Sequence, residues 1–416
     1  MTPEIKHRIE KIRNGNVPRG YKKTKAGILP ADWDVHMLGE CLSRVEKPVE
    51  VKPNKLYTQI GIRSHGKGIF YKEPVTGAAL GNKSVFWIEP DCFIVNIVFA
   101  WEQAIGKTTQ SEVGMIGSHR FPMYRPVNDR VDIDYLISYF LTKRGTDILE
   151  AASPGGAGRN KTLGQERFLK SKIVLPPIGE QQKIAAILTT QDRVIELKEK
   201  RLAEKQRQKK YLMQQLLTGG KRLPGFSGEW SFPKAKELFQ SVSDKDHNGD
   251  LAVLSSTQDR GIVPRDEVDI DIKYDACSLA NYKKVSKGNF VISLRSFQGG
   301  IEYSTYTGLV SPAYTVLSSR KEISDGYYKQ FFKSTDYINR LNVAVYGIRD
   351  GKQISYEDFG RLRIPYPPIK EQDAIAEVLS TADHEIGLLQ QDIEQEKQKK
   401  KALMQLLLTG IVRVKT

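Results

Sequence analysis

Apolar residues recur along two stretches of this chain at alternating steps of three and four, and the two stretches resemble each other. From Ile184 the series runs through Leu188, Gln191, Ile195, Lys198, Leu202, Lys205, Lys209, Leu212 and Leu216. From Ile375 it runs through Leu379, Ala382, Ile386, Leu389, Ile393, Glu396, Lys400, Leu403 and Leu407. This spacing predicts two long helices with a coiled-coil seam that turns polar toward the C-terminal half. The whole segment from Pro176 to Gly219 reappears without a gap from Pro367 to Gly410, opening on Pro-Pro-Ile and closing on Thr-Gly. The chain therefore reads as a duplication with a constant helix and a variable globular part.

The helix ends are legible. The proline pairs set an extended approach, and Glu180 and Glu371 stand in first turns, where the helix dipole favours negative charge. Lys209 and Lys210, with Lys400 and Lys401, lie toward the far ends, and Gly219 and Gly410 supply left-handed stops. About forty residues at 1.5 Å each make roughly 60 Å of helix. Antiparallel pairing about a pseudo-twofold axis would bury both stripes, through Ile184, Leu188, Ile195, Leu212 and Leu216 on one helix and Ile375, Leu379, Ile386, Leu403 and Leu407 on the other. Lys205 and Lys209 would then lay their stems along the small or apolar start of the other copy. Two independent surface helices would each need a separate core. Charging Leu188 and Leu379 is expected to unpair the helices while the globular cores stay folded.

The variable parts also begin alike, with Ile28-Leu29-Pro30 before Trp33 and Leu223-Pro224-Gly225-Phe226 before Trp230. Strand-like text follows at Leu56–Ile62 and Phe290–Leu294, and helices are expected over Tyr135–Ile148 and Tyr327–Leu341. The fold class is α+β: two mixed α/β domains with mainly antiparallel sheets, separated by the helix pair. Residues 1–28 form a helical extension, 29–175 the first domain, 176–220 the first long helix, 221–366 the second domain, and 367–416 the second long helix with its tail.

Composition narrows the partner. Among 416 residues, 64 Lys and Arg against 49 Asp and Glu give a net charge of +15, which favours a polyanion, nucleic acid before an acidic membrane surface. Cys41, Cys92 and Cys277 are scattered and never spaced as a zinc or disulfide pattern. The charged start and the lack of a long apolar run predict a soluble cytoplasmic protein without a membrane partner.

Three phrases in this order resemble the DNA-specificity subunits of type I restriction–modification systems. They are the opening Gly20–Trp33 (GYKKTKAGILPADW), the restart Arg222–Trp230 (RLPGFSGEW) and the doubled Pro-Pro-Ile-x-Glu-Gln helix. The resemblance covers essentially the whole chain, but it does not explain the extra helix carried by the N-terminal segment up to about Ile28. It implies two target-recognition domains, each reading half of an interrupted site on double-stranded DNA. It implies helices that space the domains and dock two methyltransferase subunits, through which restriction and translocase subunits attach. S-adenosylmethionine, ATP and Mg²⁺ would belong to those partners, with no cofactor in this chain.

The residues themselves argue against catalysis here. The Pro-Pro pairs follow Leu175 and Tyr366 and precede Ile178 and Ile369, so neither has the polar and aromatic flanks that hold a flipped adenine. Gly61–Gly68 imitates a phosphate loop but ends in Gly where Mg²⁺ needs a hydroxyl, and Gly106-Lys107-Thr108 has Trp101 where the first glycine belongs. The histidines show no metal spacing. A structural coiled-coil adaptor and a single-chain DNA methyltransferase or nuclease are the alternatives.

Base edges are read by Arg, Lys, Asn, Gln and Ser, and phosphates are held by cations and amides. On that chemistry the first domain offers Arg63, Ser64, His65 and Lys67, then Lys107, then Ser118, His119 and Arg120. The second offers Gln258, Arg260 and Arg265, then Arg295 and Gln298. Arg159 and Lys161, and Arg349 and Lys352, stand on glycine-bearing loops before the two helices, where they suit phosphate clamping or merely a tight connection.

Overall fold

The computed structural model describes residues 2–24, 27–155, 161–258, 260–268, 276–294, 296–344 and 354–414. Two units pack separately: Met1–Leu197 with Ile393–Thr416, and Lys198–Asp392. The first long helix spans Ile178–Leu216 and the second Ile369–Leu407, so each unit takes one half of both helices.

In the first unit a four-stranded antiparallel sheet has the order Leu42–Val45, Met123–Pro126, Phe93–Val95, Ile105–Lys107. Its apolar face meets Phe140 and Phe168, whose rings lie 5.5 and 6.1 Å from that of Phe93. Ile184 and Leu188 of the first long helix belong to this same core, together with Leu407 at the end of the second and Leu408 just after it. Each such fully buried side chain contributes roughly 1.5–3 kcal/mol through removal from water.

The second unit repeats this order with Phe239–Val242, Thr315–Ser319, Phe290–Ile292 and Glu302–Tyr303. Phe239 sits at its centre, 5.7 Å from Phe290, 5.2 Å from Tyr328 and 5.5 Å from Phe332. Leu216, Ile375 and Leu379 of the long helices, with Leu217 just after the first, complete that core. The helix stripes are therefore parts of the domain cores. The expectation that charging Leu188 or Leu379 spares the domains is corrected on this point.

The single helices expected after the sheets are pairs. Ile133–Phe140 is followed by Lys143–Ala151, and Asp325–Phe331 by Thr335–Ala344. The break comes where a hydroxyl recaps the chain: Thr142 Oγ1 accepts from Gly145 N at 3.2 Å, and Ser334 Oγ from Tyr337 N at 3.3 Å. A Cβ on Gly145 would lie 2.2 Å from Tyr139 O, so the two helices of the first pair meet too closely for any side chain there. The N-terminal extension is likewise helical only over Pro3–Arg13; Tyr21–Thr24 and Gly27–Pro30 form a hairpin. Tyr21 donates to Gly410 O at 2.7 Å, and Arg8 Nη1 to Ile411 O at 3.1 Å, so this extension rests on the chain's far end.

Contacts between the long helices run in opposite senses within each unit. In the first, Gln191 Nε2 donates to Glu396 Oε2 at 2.6 Å and Lys400 pairs with Asp192 at 2.5 Å. In the second, Lys198, Lys205 and Lys209 pair with Asp392, Glu385 and Asp383 at 2.8, 2.6 and 2.5 Å. Lys205 and Lys209 thus meet carboxylates where small or apolar partners were expected. Of the expected pairing residues, Ile184, Leu188, Ile195, Leu216, Ile375, Leu379 and Leu407 are buried, while Leu212, Ile386 and Leu403 are half-buried.

Candidate nucleic-acid interface

The first candidate loop is the tip of a hairpin whose strands pair Ile60 with Tyr71 and Ile62 with Ile69. Its backbone is held from beneath. His65 N donates to Glu102 O at 2.7 Å, Gly66 N to Gln103 O at 2.9 Å, and Ser64 Oγ to Glu102 Oε2 at 2.8 Å. His65 stands at φ +61°, a left-handed conformation that a non-glycine residue adopts only when its surroundings impose it. The result is a fixed tip with Arg63, His65 and Lys67 exposed, Arg63 lying 4.9 Å over the Phe70 ring. Ser64 is committed to Glu102, and Lys107 to Asp134 at 2.7 Å. His119 and Arg120 are exposed on a second turn, tied instead to Ser84 through His119 N at 3.2 Å. Bonds therefore anchor these two loops to different neighbours. The Lys161 ammonium lies 5.1 Å from the Trp101 ring centre.

In the second unit the topologically equivalent hairpin pairs Leu254–Thr257 with Gly261–Pro264. Thr257 Oγ1 accepts from Arg260 N at 3.2 Å and donates to Gly261 O at 2.9 Å, closing the turn. Gly261 has φ +77°, and a Cβ there would lie 2.9 Å from Tyr303 O, so glycine is required twice over. Gln258 is exposed; Arg260 is also exposed but ion-paired with Glu267. Arg265 is half-buried with Nε donating to Ser255 Oγ at 3.3 Å, which suits bracing the hairpin better than touching a base. Gln298 is exposed on a one-turn helix, Ser296–Gly299. Nearby, burial and then the Asp325 bond push the Tyr303 hydroxyl up to about 12. Arg159, Arg295, Arg349 and Lys352 lie outside the described residues.

A matched buried constellation escaped the sequence reading. Glu180 and Glu371 are fully buried. Arg413 Nε and Nη2 clasp Glu180 at 2.7 and 2.8 Å, and Trp33 Nε1 donates to it at 3.1 Å. Arg222 clasps Glu371 at 2.5 and 2.6 Å, with Trp230 Nε1 at 2.9 Å. The next residues repeat the logic: Gln181 accepts from Asp132 N at 3.0 Å, and Gln372 from Ser324 N at 2.9 Å, where the first helix of each pair begins. Arg413 also binds Asp32, and this hydrogen bond above all holds the Asp32 carboxyl below its usual range. The signal was present in sequence as a third repeat, Thr-Gly-x-x-Arg, at Thr218–Arg222 and Thr409–Arg413. These groups position each domain on its helices. Among the described residues no cluster could hold a metal ion, and no helix is long and apolar enough to cross a membrane.

Two units with one strand order, each joined to a repeated helix by the same Glu-Gln pair, are matched by a single family model. The type I restriction modification DNA specificity domain covers residues 73–206 and again 229–398. The chain belongs to that family. A putative type I restriction enzyme MjaX specificity subunit of Methanocaldococcus jannaschii is 24% identical over 95% of this chain and 97% of its own length. The MjaVIII specificity subunit of the same organism is also 24% identical, over 95% and 96%. Among solved structures, the HsdS subunit of Thermoanaerobacter tengcongensis aligns with a TM-score of 0.51 at 18% identity, covering 92% of this chain and 98% of that one. A chain from a study of type I R-M complex assembly and conformational transition aligns at 0.58 and 18%, covering 92% and 99%. These likenesses establish a shared fold for the specificity family member described here.

Proposed function

We infer that this chain is the DNA-recognition subunit of a type I restriction–modification complex, each unit reading one half of an interrupted site in double-stranded DNA. The observation that carries this reading is the pair of equivalent hairpin tips, each fixed to its own unit and each presenting different polar side chains. Arg63, His65 and Lys67 on one tip and Gln258 on the other offer different hydrogen-bonding sets, so the half-sites should differ. His119, Arg120 and Gln298 are the further base-reading candidates. Lys161, with Arg159, Arg349 and Lys352, is assigned to phosphates, and Arg295 remains a proposed base contact of the second unit. Ser64, Ser118, Lys107, Arg260 and Arg265 are assigned to the loops' shape: Ser118 Oγ accepts from Arg120 N at 3.3 Å, and the others are bonded to Glu102, Asp134, Glu267 and Ser255.

The long helices act as an antiparallel coiled-coil spacer with pseudo-twofold symmetry; cross-helix pairs of opposite sense in each unit support this. The subunit is non-catalytic. It docks two methyltransferase subunits, with restriction and translocase subunits attached through them, and S-adenosylmethionine, ATP and Mg²⁺ act in those partners.

Replacing Gln258 and Gln298 by Ala should relax one half of the methylated sequence and leave the other intact. A lost bidentate base contact costs about 1–3 kcal/mol of discrimination, which genome-wide mapping of methylated adenines resolves. Changes in both halves at once would contradict the assignment of one unit to one half-site.

A further inference from the structure

Each candidate hairpin tip rests on one residue of the turn that joins the helix pair of its unit. The two positions are equivalent. Leu141 follows Phe140 and precedes the capping Thr142, and Lys333 follows Phe332 and precedes the capping Ser334. Phe140 and Phe332 are fully buried against matching phenylalanines of the two sheets, 5.5 Å from Phe93 and 5.2 Å from Phe290. The turn is thus fixed to the sheet, and the side chain after the phenylalanine starts from an immobile base.

That side chain reaches the tip. In the first unit Leu141 packs on Gly66: a Cβ there would lie 2.4 and 2.9 Å from its two methyl carbons, so the leucine fills the space behind the tip. Gly66 stands at φ +65°, beside the left-handed His65, and its N–H donates to Gln103 O at 2.9 Å. Gln103 is held in turn by the second helix of the pair, its Nε2 donating to Thr146 Oγ1 at 2.6 Å. In the second unit Lys333 Nζ donates to Gln258 O at 3.2 Å and also pairs with Glu302. The Lys333 side chain is 27% exposed and that of Glu302 only 3%, so the ammonium is held between the edge strand and the tip. A Cβ on Gly300 would lie 2.0 Å from Phe332 O, which brings the neighbouring loop flush against the same turn. An apolar brace in one unit and an ionic brace in the other occupy one position.

We propose that Leu141 and Lys333 are positioning residues for sequence recognition, each setting the fidelity of one half-site without touching a base. The proposal rests on the hairpin tips being the reading elements. A hydrogen bond to a base edge discriminates only while its donor is held within about 0.5 Å of the productive geometry. Arg63, His65 and Lys67 stand on a tip that loses its backing with Leu141, and Gln258 on one that loses its tether with Lys333. Contacts to phosphates carry no sequence information, so removing a brace should blur discrimination in its own unit while overall affinity changes little.

The test measures methylation by the chain assembled with its methyltransferase subunits. Discrimination is the ratio of kcat/KM on the cognate duplex to that on duplexes with one specified base pair changed. The half-site of the second unit is the one that Gln258→Ala relaxes. Lys333→Met should lower discrimination about tenfold in that half and less than about twofold in the other, and Leu141→Ala should do the reverse. Lys333→Arg and Leu141→Met should retain most of it. Lys333→Met also takes the ammonium from the buried Glu302, so adding Glu302→Gln separates folding from positioning. The thermal midpoint should recover in that double variant, and the lost discrimination should not. Unchanged discrimination in both single variants, equal loss in both halves, or discrimination that recovers with the midpoint would overturn the proposal. An effect of Gln258→Ala would then leave the reading role of the tips standing. Gln258→Ala without effect on either half would overturn both.

Discussion

Leu188→Asp is expected to unfold the first unit, and Leu379→Asp the second, each leaving the other unit protected. Leu188 is 1% exposed and Leu379 fully buried, and each lies in a core shared by helix and domain. Truncating a buried leucine already costs about 2–5 kcal/mol, and an unpaired carboxylate in its place adds its desolvation. The sum approaches the roughly 5–15 kcal/mol that typically holds a domain together. Hydrogen exchange read by mass spectrometry distinguishes the outcomes. Loss of protection in the substituted unit alone, for instance over Phe93–Val95 with Leu188→Asp, is predicted. Frayed helices around two intact sheets would show that the helix stripes are separable from the domain cores.

Arg413→Met should destabilise the first unit strongly, although Arg413 touches no candidate DNA contact. It leaves Glu180 buried with only the Trp33 N–H. Breaking a fully buried ion pair costs about 3–5 kcal/mol; with the Arg413 side chain about a third exposed and Trp33 retained, roughly 2–3 kcal/mol is expected. Replacing Glu180 and Arg413 together by apolar residues should cost less than Arg413→Met, because no stranded charge remains. The acid limb carries a second signature. Asp32 has a folded pKa depressed chiefly by its hydrogen bond to Arg413. Its contribution is present above the unfolded value near 3.9 and is lost as pH falls through the lower folded value. Arg413→Met should therefore flatten the loss of stability below about pH 4. Denaturant unfolding at pH 7 and pH 3 checks both effects, and an unchanged midpoint at pH 7 would refute the clasp.

How much of this was legible can be traced residue by residue. The long helices were, because prolines, first-turn acids and terminal glycines act within a few residues of themselves. The recurrence of the domain fold was visible through Trp33 and Trp230. Glu180 and Glu371 were legible only as dipole-complementing charges: the partner that buries Glu180 lies 233 residues away. The same holds for the candidate interface. Ser64, Lys107 and Arg265 have the chemistry to read DNA, yet Glu102, Asp134 and Ser255 engage them, and local sequence does not encode those encounters. Composition alone cannot separate Arg63, left exposed, from Arg265, drawn half under the hairpin. The broken helices turn on local caps, Thr142 to Gly145 and Ser334 to Tyr337, which an apolar pattern running through the break does not reveal.

Selection of duplexes from a random pool by the chain assembled with its methyltransferase subunits tests the central reading most directly. The enriched sequences should contain two different specified blocks, each with an adenine to be modified, separated by a fixed number of unspecified base pairs. A single uninterrupted block, two identical blocks, or no enrichment above the pool would contradict two diverged recognition units acting on one interrupted site.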